Sequence, residues 1–163
     1  MVLVARGGGR ARLSWLAAIV ALAIILFIAI PSRANGTSIG DSAEGKARAA
    51  ILADEWLKSI DDGNYYESWN SASPEFKKGF TSKEWARVCQ VDSAWGTCQS
   101  RRLATSNYFT KIRQSSGEIA PGEWVVVRFE STYAKLGNRA QTVVVSRDPD
   151  GQWRTSGYVM CPD

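Results

Sequence analysis

The chain has 163 residues and 45% hydrophobic character, enough for one domain with a sizeable core. It has no histidine, which excludes an imidazole base, a histidine-activated nucleophile and a histidine metal ligand. Its net charge of +4 comes from four arginines before position 35, so the other 16 basic residues balance the 16 acidic ones. A neutral globule binds polyanions poorly, and we expect no nucleic-acid partner.

The first notable segment is an apolar run of 18 residues, 13–30, which is interrupted only by Ser14. As a helix it would rise about 27 Å at about 1.5 Å per residue, close to the thickness of a bilayer hydrocarbon core. Residues 1–12 contain three arginines and no acidic residue. The positive-inside rule places this basic flank in the cytoplasm and the following chain across the membrane.

Two fates remain open for this segment. Small residues at 32 and 34 fit a signal-peptidase site after Ala34, but the apolar run exceeds the usual signal-peptide length of about 7 to 15 residues. We favour a retained transmembrane or signal anchor in the bacterial inner membrane over a chain released into the periplasm. Residues 31–42 are mostly small and polar, as in a tether, and 43–163 are predicted to form the extracytoplasmic domain.

Four short helices are predicted in the first half of that domain. Asp41 and Glu44 have the spacing of an N-cap and its carboxylate, and apolar residues from Ala49 to Ile60 recur at helical spacing before Gly63. Three further helix starts follow: Tyr65 with Trp69, Ser73–Pro74 as N-cap and first-turn proline, and the capping box of Thr81 and Glu84.

From about residue 99 the hydrophobic period changes toward two, which is typical of strands. The first strand, about 99–113, has an interrupted alternation that indicates a bulge. Three more are predicted at 124–133, 141–147 and 152–160, joined by turn-forming residues. Helices followed by antiparallel strands predict an α+β domain, with about four helices on one face of a curved sheet of about four strands.

Three cysteines, Cys89, Cys98 and Cys161, would meet an oxidising compartment after export. Loop-closure entropy favours pairing the nearest two, Cys89 and Cys98, at about 2 to 3 kcal/mol of stabilisation. Pairing to Cys161 would instead attach the last strand to the helices. The spacing fits neither a redox-active nor a metal-binding motif, so we predict no metal and no cofactor.

The order and spacing of many residues over about 45–160 resemble the exported bacterial family known as domain of unknown function 4019 (DUF4019). The residues that carry this resemblance are Trp56–Leu57, Ile60–Asp61, Gly63, Tyr65, Ser68–Trp69, Ser73, Phe76, Trp85, Ser100–Arg101, Gly122–Glu123, Val125–Val127, Tyr133, Gly151, Trp153–Arg154 and Gly157–Tyr158.

At a coarser level the chain is similar to cone-shaped, cystatin-like α+β domains of the nuclear transport factor 2 type (NTF2-like). Those folds include isomerases, dehydratases and binding modules, so the resemblance implies no activity. The chain departs from the DUF4019 pattern in the cysteines at 89 and 98 and in Gln141, where an acidic residue is usual.

Several aromatic residues are candidates for a ligand pocket between the concave sheet face and the first helix. Such a pocket would suit a small apolar or sugar-like ligand, although a simple core role for these side chains is favoured. The candidates are Trp56, Trp69, Tyr133, Trp153 and Tyr158.

An acid–base site would need Asp61 or Asp62 with a tyrosine such as Tyr65, but both aspartates precede Gly63 at a helix end, where a solvated turn role is expected. A cluster of basic residues is interpreted as a solvated strand edge, neutralised by nearby glutamates. It consists of Arg101, Arg102, Lys111 and Arg113, with Glu118, Glu123 and Glu130 nearby.

We therefore predict a non-enzymatic, membrane-tethered binding or interaction module of the bacterial envelope, with no catalytic residue assigned and its oligomeric state open. One alternative is an isomerase or dehydratase that uses a buried Asp and Tyr. Another is a structural subunit of a membrane complex, with an apolar patch at Trp124 and Val126 on the outer sheet face. The expected partners are the membrane, through 13–30, and an envelope protein or small ligand.

Overall fold

The computed structural model describes residues 39–113 and 117–162, with the side chains in these ranges except those of 39–41, 91–93, 161 and 162. The predicted anchor, 13–30, lies outside the described residues. Within the described ranges, no helix is both long enough and apolar enough to cross a membrane.

Four helices form the first half of the described domain: α1 (Ile39–Asp61), α2 (Tyr65–Ser71), α3 (Pro74–Gly79) and α4 (Ser82–Asp92). A 3₁₀ turn, Ser93–Trp95, follows α4 and was not predicted. Helix α1 begins two residues before the predicted N-cap Asp41, so that cap assignment is wrong.

Helix α2 begins at the predicted Tyr65, and the predicted starts of α3 and α4 are confirmed by their capping hydrogen bonds. Ser73 Oγ accepts the Phe76 amide at 3.1 Å, with Pro74 in the first turn of α3. The Thr81 amide donates to Glu84 Oε2 at 2.9 Å, and the Glu84 amide donates to Thr81 Oγ1 at 3.3 Å. The hydrogen bonds from the Thr81 hydroxyl and amide lower the pKa of the Glu84 carboxyl.

Four antiparallel strands form one open sheet in chain order: β1 (Cys98–Arg113), β2 (Ile119–Tyr133), β3 (Gly137–Arg147) and β4 (Trp153–Pro162). β1 and β4 are therefore its two edge strands. The register of β1 against β2 shifts at three places, which confirms the predicted irregularity. The α+β class is confirmed, whereas the NTF2-like comparison stays a prediction.

The core lies between the helices and one face of the sheet. Along β2 and β3, alternate valines face the helices, because side chains on a strand point to opposite faces in turn. Aromatic rings fill the space above them: Trp56 stacks on Trp85 at 5.4 Å between ring centroids. Phe76 meets these two rings edge-on at 5.7 Å and 5.0 Å. The helix-facing valines are Val125, Val127, Val143 and Val145.

Candidate functional site

A buried arginine connects the C-terminal part of α1 to the sheet. The Arg101 side chain, on β1, is only 6% exposed. Its Nη2 donates to Asp61 Oδ2 at 2.6 Å, and its Nη1 lies 3.7 Å from Asp54 Oδ1. The two aspartates are seven residues apart, two helical turns, which places both on one face of α1. Helix α1 is therefore held to the edge strand by a largely desolvated ion pair.

Gln141, on β3, joins this ion pair to the rest of the sheet. Its Oε1 accepts hydrogen bonds from Arg101 Nε at 3.2 Å and Ser131 Oγ at 2.6 Å. Its Nε2 donates to the Tyr158 hydroxyl at 3.0 Å. A neutral amide satisfies these neighbours because it offers both an acceptor and donors. Since the side chain is 1% exposed, these bonds replace those to water.

Asp61 also accepts a hydrogen bond from the Tyr133 hydroxyl at 3.3 Å. Burial and the negative charge of Asp61 raise the pKa of Tyr133, so its phenol is neutral at physiological pH. For Arg101, burial lowers the pKa, but the charge of Asp61 and its hydrogen bond outweigh burial and leave the pKa raised. We call the set Asp54, Asp61, Arg101, Ser131, Tyr133, Gln141 and Tyr158 the Arg101 network.

A small cavity of about 40 Å³ lies beside the Arg101 network. One water needs about 10–15 Å³ of such volume, so the cavity has room for about three or four water molecules at most. Burial raises the pKa of the Cys98 thiol, and its Sγ lies 3.5 Å from the Ser100 carbonyl oxygen. The cavity is lined by Ile60, Asp61, Tyr65, Cys89, Trp95, Gly96, Cys98, Tyr133 and Tyr158.

The five predicted pocket aromatics do not converge on one site. Tyr133 and Tyr158 line the small cavity, and Trp56 contacts Tyr158 at 5.6 Å between ring centroids. Trp69 instead donates its Nε1 proton to the Phe80 carbonyl at 2.7 Å. Trp153 pairs with Arg147 at the opposite end of the sheet and packs near Gly45 of α1.

The two predicted patch residues, Trp124 and Val126, are half-buried on the face of the sheet that points away from the helices. Trp124 Nε1 is buried and has no hydrogen-bond partner in the described part of the chain. Gly122 lets the backbone approach this indole, since a Cβ there would lie 3.1 Å from Nε1. The large apolar side chains exposed in the described ranges lie elsewhere: Ile51, Tyr66, Val88, Leu103 and Ile119.

An open groove of about 570 Å³ separates the start of α1 from the middle of β1. Ser106 Oγ donates to the Lys46 carbonyl at 3.3 Å and joins the two walls. The groove is lined by Ser42, Lys46, Ser106, Asn107, Tyr108 and Phe109.

Sequence reasoning missed the main element of the Arg101 network. Arg101 was assigned to a solvated basic edge, which is wrong, because it is buried and paired with Asp61. Its neighbour Arg102 is exposed and pairs with Glu130, as that interpretation expected. The two signals for a special site were the Ser100–Arg101 motif and the unusual Gln141, but neither reveals its spatial partner.

The predicted acid–base pair also changes. Asp61 does not have the purely solvated turn role, because it pairs with Arg101. Its tyrosine partner is Tyr133, whereas the predicted Tyr65 only lines the cavity nearby. Asp62 is exposed at the helix end.

The remaining predictions for this site concern the cysteines and possible metal ligands. No disulfide joins Cys89 to Cys98 in the structure, although both side chains lie in the wall of the same cavity. The side chain of Cys161 lies outside the described residues. Over 39–113 and 117–162, no group of three or more cysteine, aspartate or glutamate side chains is arranged to hold a metal ion.

The described molecule is thus an α+β domain in which helices cover one face of an open antiparallel sheet and a buried ion pair attaches the first helix to an edge strand. The family model "Protein of unknown function (DUF4019)" matches residues 52–158. This range is well over half of the chain, so the chain belongs to that family, as the resemblance implied. No curated protein and no solved structure matches the chain.

Proposed function

We propose that the chain is a binding module of the bacterial envelope, anchored in the inner membrane by residues 13–30, with its α+β domain in the periplasm. The support for the anchor is the uncharged apolar run and the arginine-rich flank before it. The module acts by contact with a partner on its surface and not by catalysis.

The observation that carries the binding role is the filled interior of the domain. Sites for small-molecule ligands measure about 300–1,000 Å³. The cavity beside the Arg101 network measures about 40 Å³ and therefore fits water, not an organic substrate. The stacked rings of Trp56 and Trp85 occupy the space where the five-aromatic pocket was expected. Recognition of a larger partner is thus directed to the surface.

The position of Asp61 supports the same conclusion. In the alternative enzyme, this carboxyl would exchange a proton with a substrate. Its Oδ2 instead lies 2.6 Å from Arg101 Nη2, and its Oδ1 accepts the hydrogen bond from Tyr133. The carboxylate thereby stabilises a desolvated guanidinium, which is a structural role.

The proposal includes a disulfide between Cys89 and Cys98 in the oxidising periplasm. Both residues line the same cavity of about 40 Å³, which supports this pairing. The two S–H bonds break and one S–S bond forms. Two protons and two electrons pass to the disulfide of an exported oxidising protein, which becomes a dithiol. This bond would close a short loop beside the Arg101 network.

Membrane fractionation of cells that express the full chain tests the anchor. We expect the chain to keep its N-terminal residues and to stay in the membrane pellet after alkaline extraction. We also expect protease added to spheroplasts to degrade the domain, while the same protease leaves it intact in whole cells. A chain recovered in the cytosolic fraction and protected in spheroplasts would refute the proposed function.

A further inference from the structure

The outer side of β1 is one of the two edges of the described sheet. β1 is an edge strand, hydrogen-bonded to β2 on one side, and no strand of the described residues pairs with its other side. An edge of this kind carries unpaired N–H and C=O groups and accepts an added strand unless bulges or side chains prevent it.

Only part of this edge is regular enough to accept another strand. The register against β2 shifts between Leu103 and Thr105, and again between Phe109 and Lys111. Between these irregularities, residues 105–109 pair with β2 without interruption. Bulges disturb the spacing of the outward-facing hydrogen-bonding groups, so the regular segment of β1 is 105–109.

The open groove lies on this regular segment. Four of its lining residues belong to 106–109, and the opposite wall is the start of α1. The hydrogen bond from Ser106 to the Lys46 carbonyl fixes the distance between strand and helix. At about 570 Å³, the groove is large enough for several residues of an extended chain. The fold therefore provides a hydrogen-bonding edge and a wall for the added strand.

The charges around the groove select an acidic partner. β1 contains four basic residues and no acidic residue. Arg101 and Arg102 are paired with carboxylates, but Lys46 in the groove and Lys111 beside it have no ion pair among the described residues. Glu123, near Tyr108, is neutralised by Arg147 at 2.8 Å.

We propose that residues 105–109 of β1 bind an acidic, extended peptide segment of a partner protein, which adds to the sheet as a fifth strand in this groove. The inference rests on the proposed function and names the class of partner. A second copy of the chain is disfavoured as the occupant, because pairing two β1 edges would bring two strands with only basic charges together.

Fluorescence anisotropy with the full chain in non-ionic detergent tests this proposal. The probe is a labelled heptapeptide, Asp-Val-Glu-Val-Asp-Thr-Glu, with blocked ends. Two control peptides have every acid replaced by lysine, or alternate backbone amides methylated. We expect saturable binding of the acidic peptide, and at least tenfold weaker binding of both controls, since one lacks the charge and the other the edge hydrogen bonds.

Two charge reversals locate the binding site. Lys46→Glu in the groove should weaken binding of the acidic peptide at least tenfold. Lys83→Glu makes the same change in net charge on the exposed start of α4 and should leave binding within twofold. This difference, with the loss on amide methylation, supports the proposal.

Three results would overturn the groove proposal. They are no binding of the acidic peptide, equal binding by the Lys46→Glu and Lys83→Glu variants, and a stable dimer in analytical ultracentrifugation that the peptide does not dissociate. If the peptide binds both variants equally, the proposed binding role survives with a different surface. The fractionation experiment tests the proposed function separately from the groove proposal.

Discussion

Replacing Arg101 by methionine tests the Arg101 network most directly. Methionine keeps much of the apolar stem but removes the guanidinium that bonds to Asp61 at 2.6 Å and to Gln141 at 3.2 Å. A hydrogen bond to a charged group contributes about 1.5–3 kcal/mol, and loss of one partner of a fully buried ion pair costs about 3–5 kcal/mol.

The expected magnitude follows from the exposure of the groups left behind. The Asp61 side chain is 21% exposed, so water partly solvates its carboxylate in the variant. Gln141 keeps its bonds to Ser131 and Tyr158. We therefore expect Arg101→Met to lower the free energy of unfolding by about 2–3 kcal/mol, below the range for a fully buried charge.

The neighbouring residue supplies a matched control. Arg102 lies on the same strand and pairs with Glu130, but its side chain is 71% exposed. Exposed ion pairs contribute about 0–1 kcal/mol, so Arg102→Met should change the stability by less than about 1 kcal/mol. Both substitutions remove one positive charge, and comparison of the two cancels the effect of net charge.

Urea unfolding of the full chain in detergent, followed by tryptophan fluorescence, measures both effects. We expect a lower midpoint for Arg101→Met with an unchanged dependence on urea concentration. In a double-mutant cycle with Asp61→Asn, the coupling energy should be about 1.5–3 kcal/mol. Equal stability of the Arg101 and Arg102 variants, or a coupling energy near zero, would refute the assignment of a stabilising buried ion pair.

Three further predictions follow from the same structure. Ser68→Ala should lower the free energy of unfolding by about 1–3 kcal/mol in urea titrations, because Trp85 Nε1 loses its buried acceptor at 2.9 Å; no change would contradict this. In alkaline titrations of phenolate absorbance, Tyr133→Phe should remove a tyrosine that ionises above pH 10, because burial beside Asp61 raises its pKa above the ordinary 10.0. Stabilisation by the neutral Tyr133 phenol is complete below about pH 10 and falls as the pH rises through the folded-state pKa of this group. Ionisation of all tyrosines near pH 10 would contradict the buried contact of Tyr133 with Asp61. The hydrogen bonds from Arg154 lower the pKa of Asp150 from 3.8 to about 2, so stabilisation by this turn is full above 3.8 and is lost as the pH falls through about 2; an NMR-measured carboxyl pKa near 3.8 would count against it.

Local chemistry made much of the fold predictable. The helix starts at Ser73 and Thr81 depend on side-chain contacts three residues along the chain, which a sequence reveals directly. The alternation of valines along β2 identifies the buried face, because a strand has a period of two. The start of α1 was misplaced because Asp41 and Glu44 match a cap pattern inside a longer helix.

The candidate site depends on contacts that no local pattern contains. Arg101 bonds to Asp61 over a separation of 40 residues, and Tyr133 bonds to Asp61 over 72. The charge and the strand periodicity are the same for Arg101 and for the exposed Arg102. Only the packing of α1 on the sheet distinguishes the two arginines. The predicted aromatic pocket also assumed a convergence in space that the sequence does not contain. Trp153 lies at the other end of the sheet from Tyr133.

The central claim is that residues 13–30 anchor a domain that works on the far side of the inner membrane. Fusion of alkaline phosphatase, which is active only after export, to the C-terminus of the full chain tests it most directly. We predict high phosphatase activity that sediments with the membrane, and low fluorescence from a matched fusion to a protein that fluoresces only in the cytoplasm. An inactive phosphatase fusion with a bright cytoplasmic reporter would contradict the account.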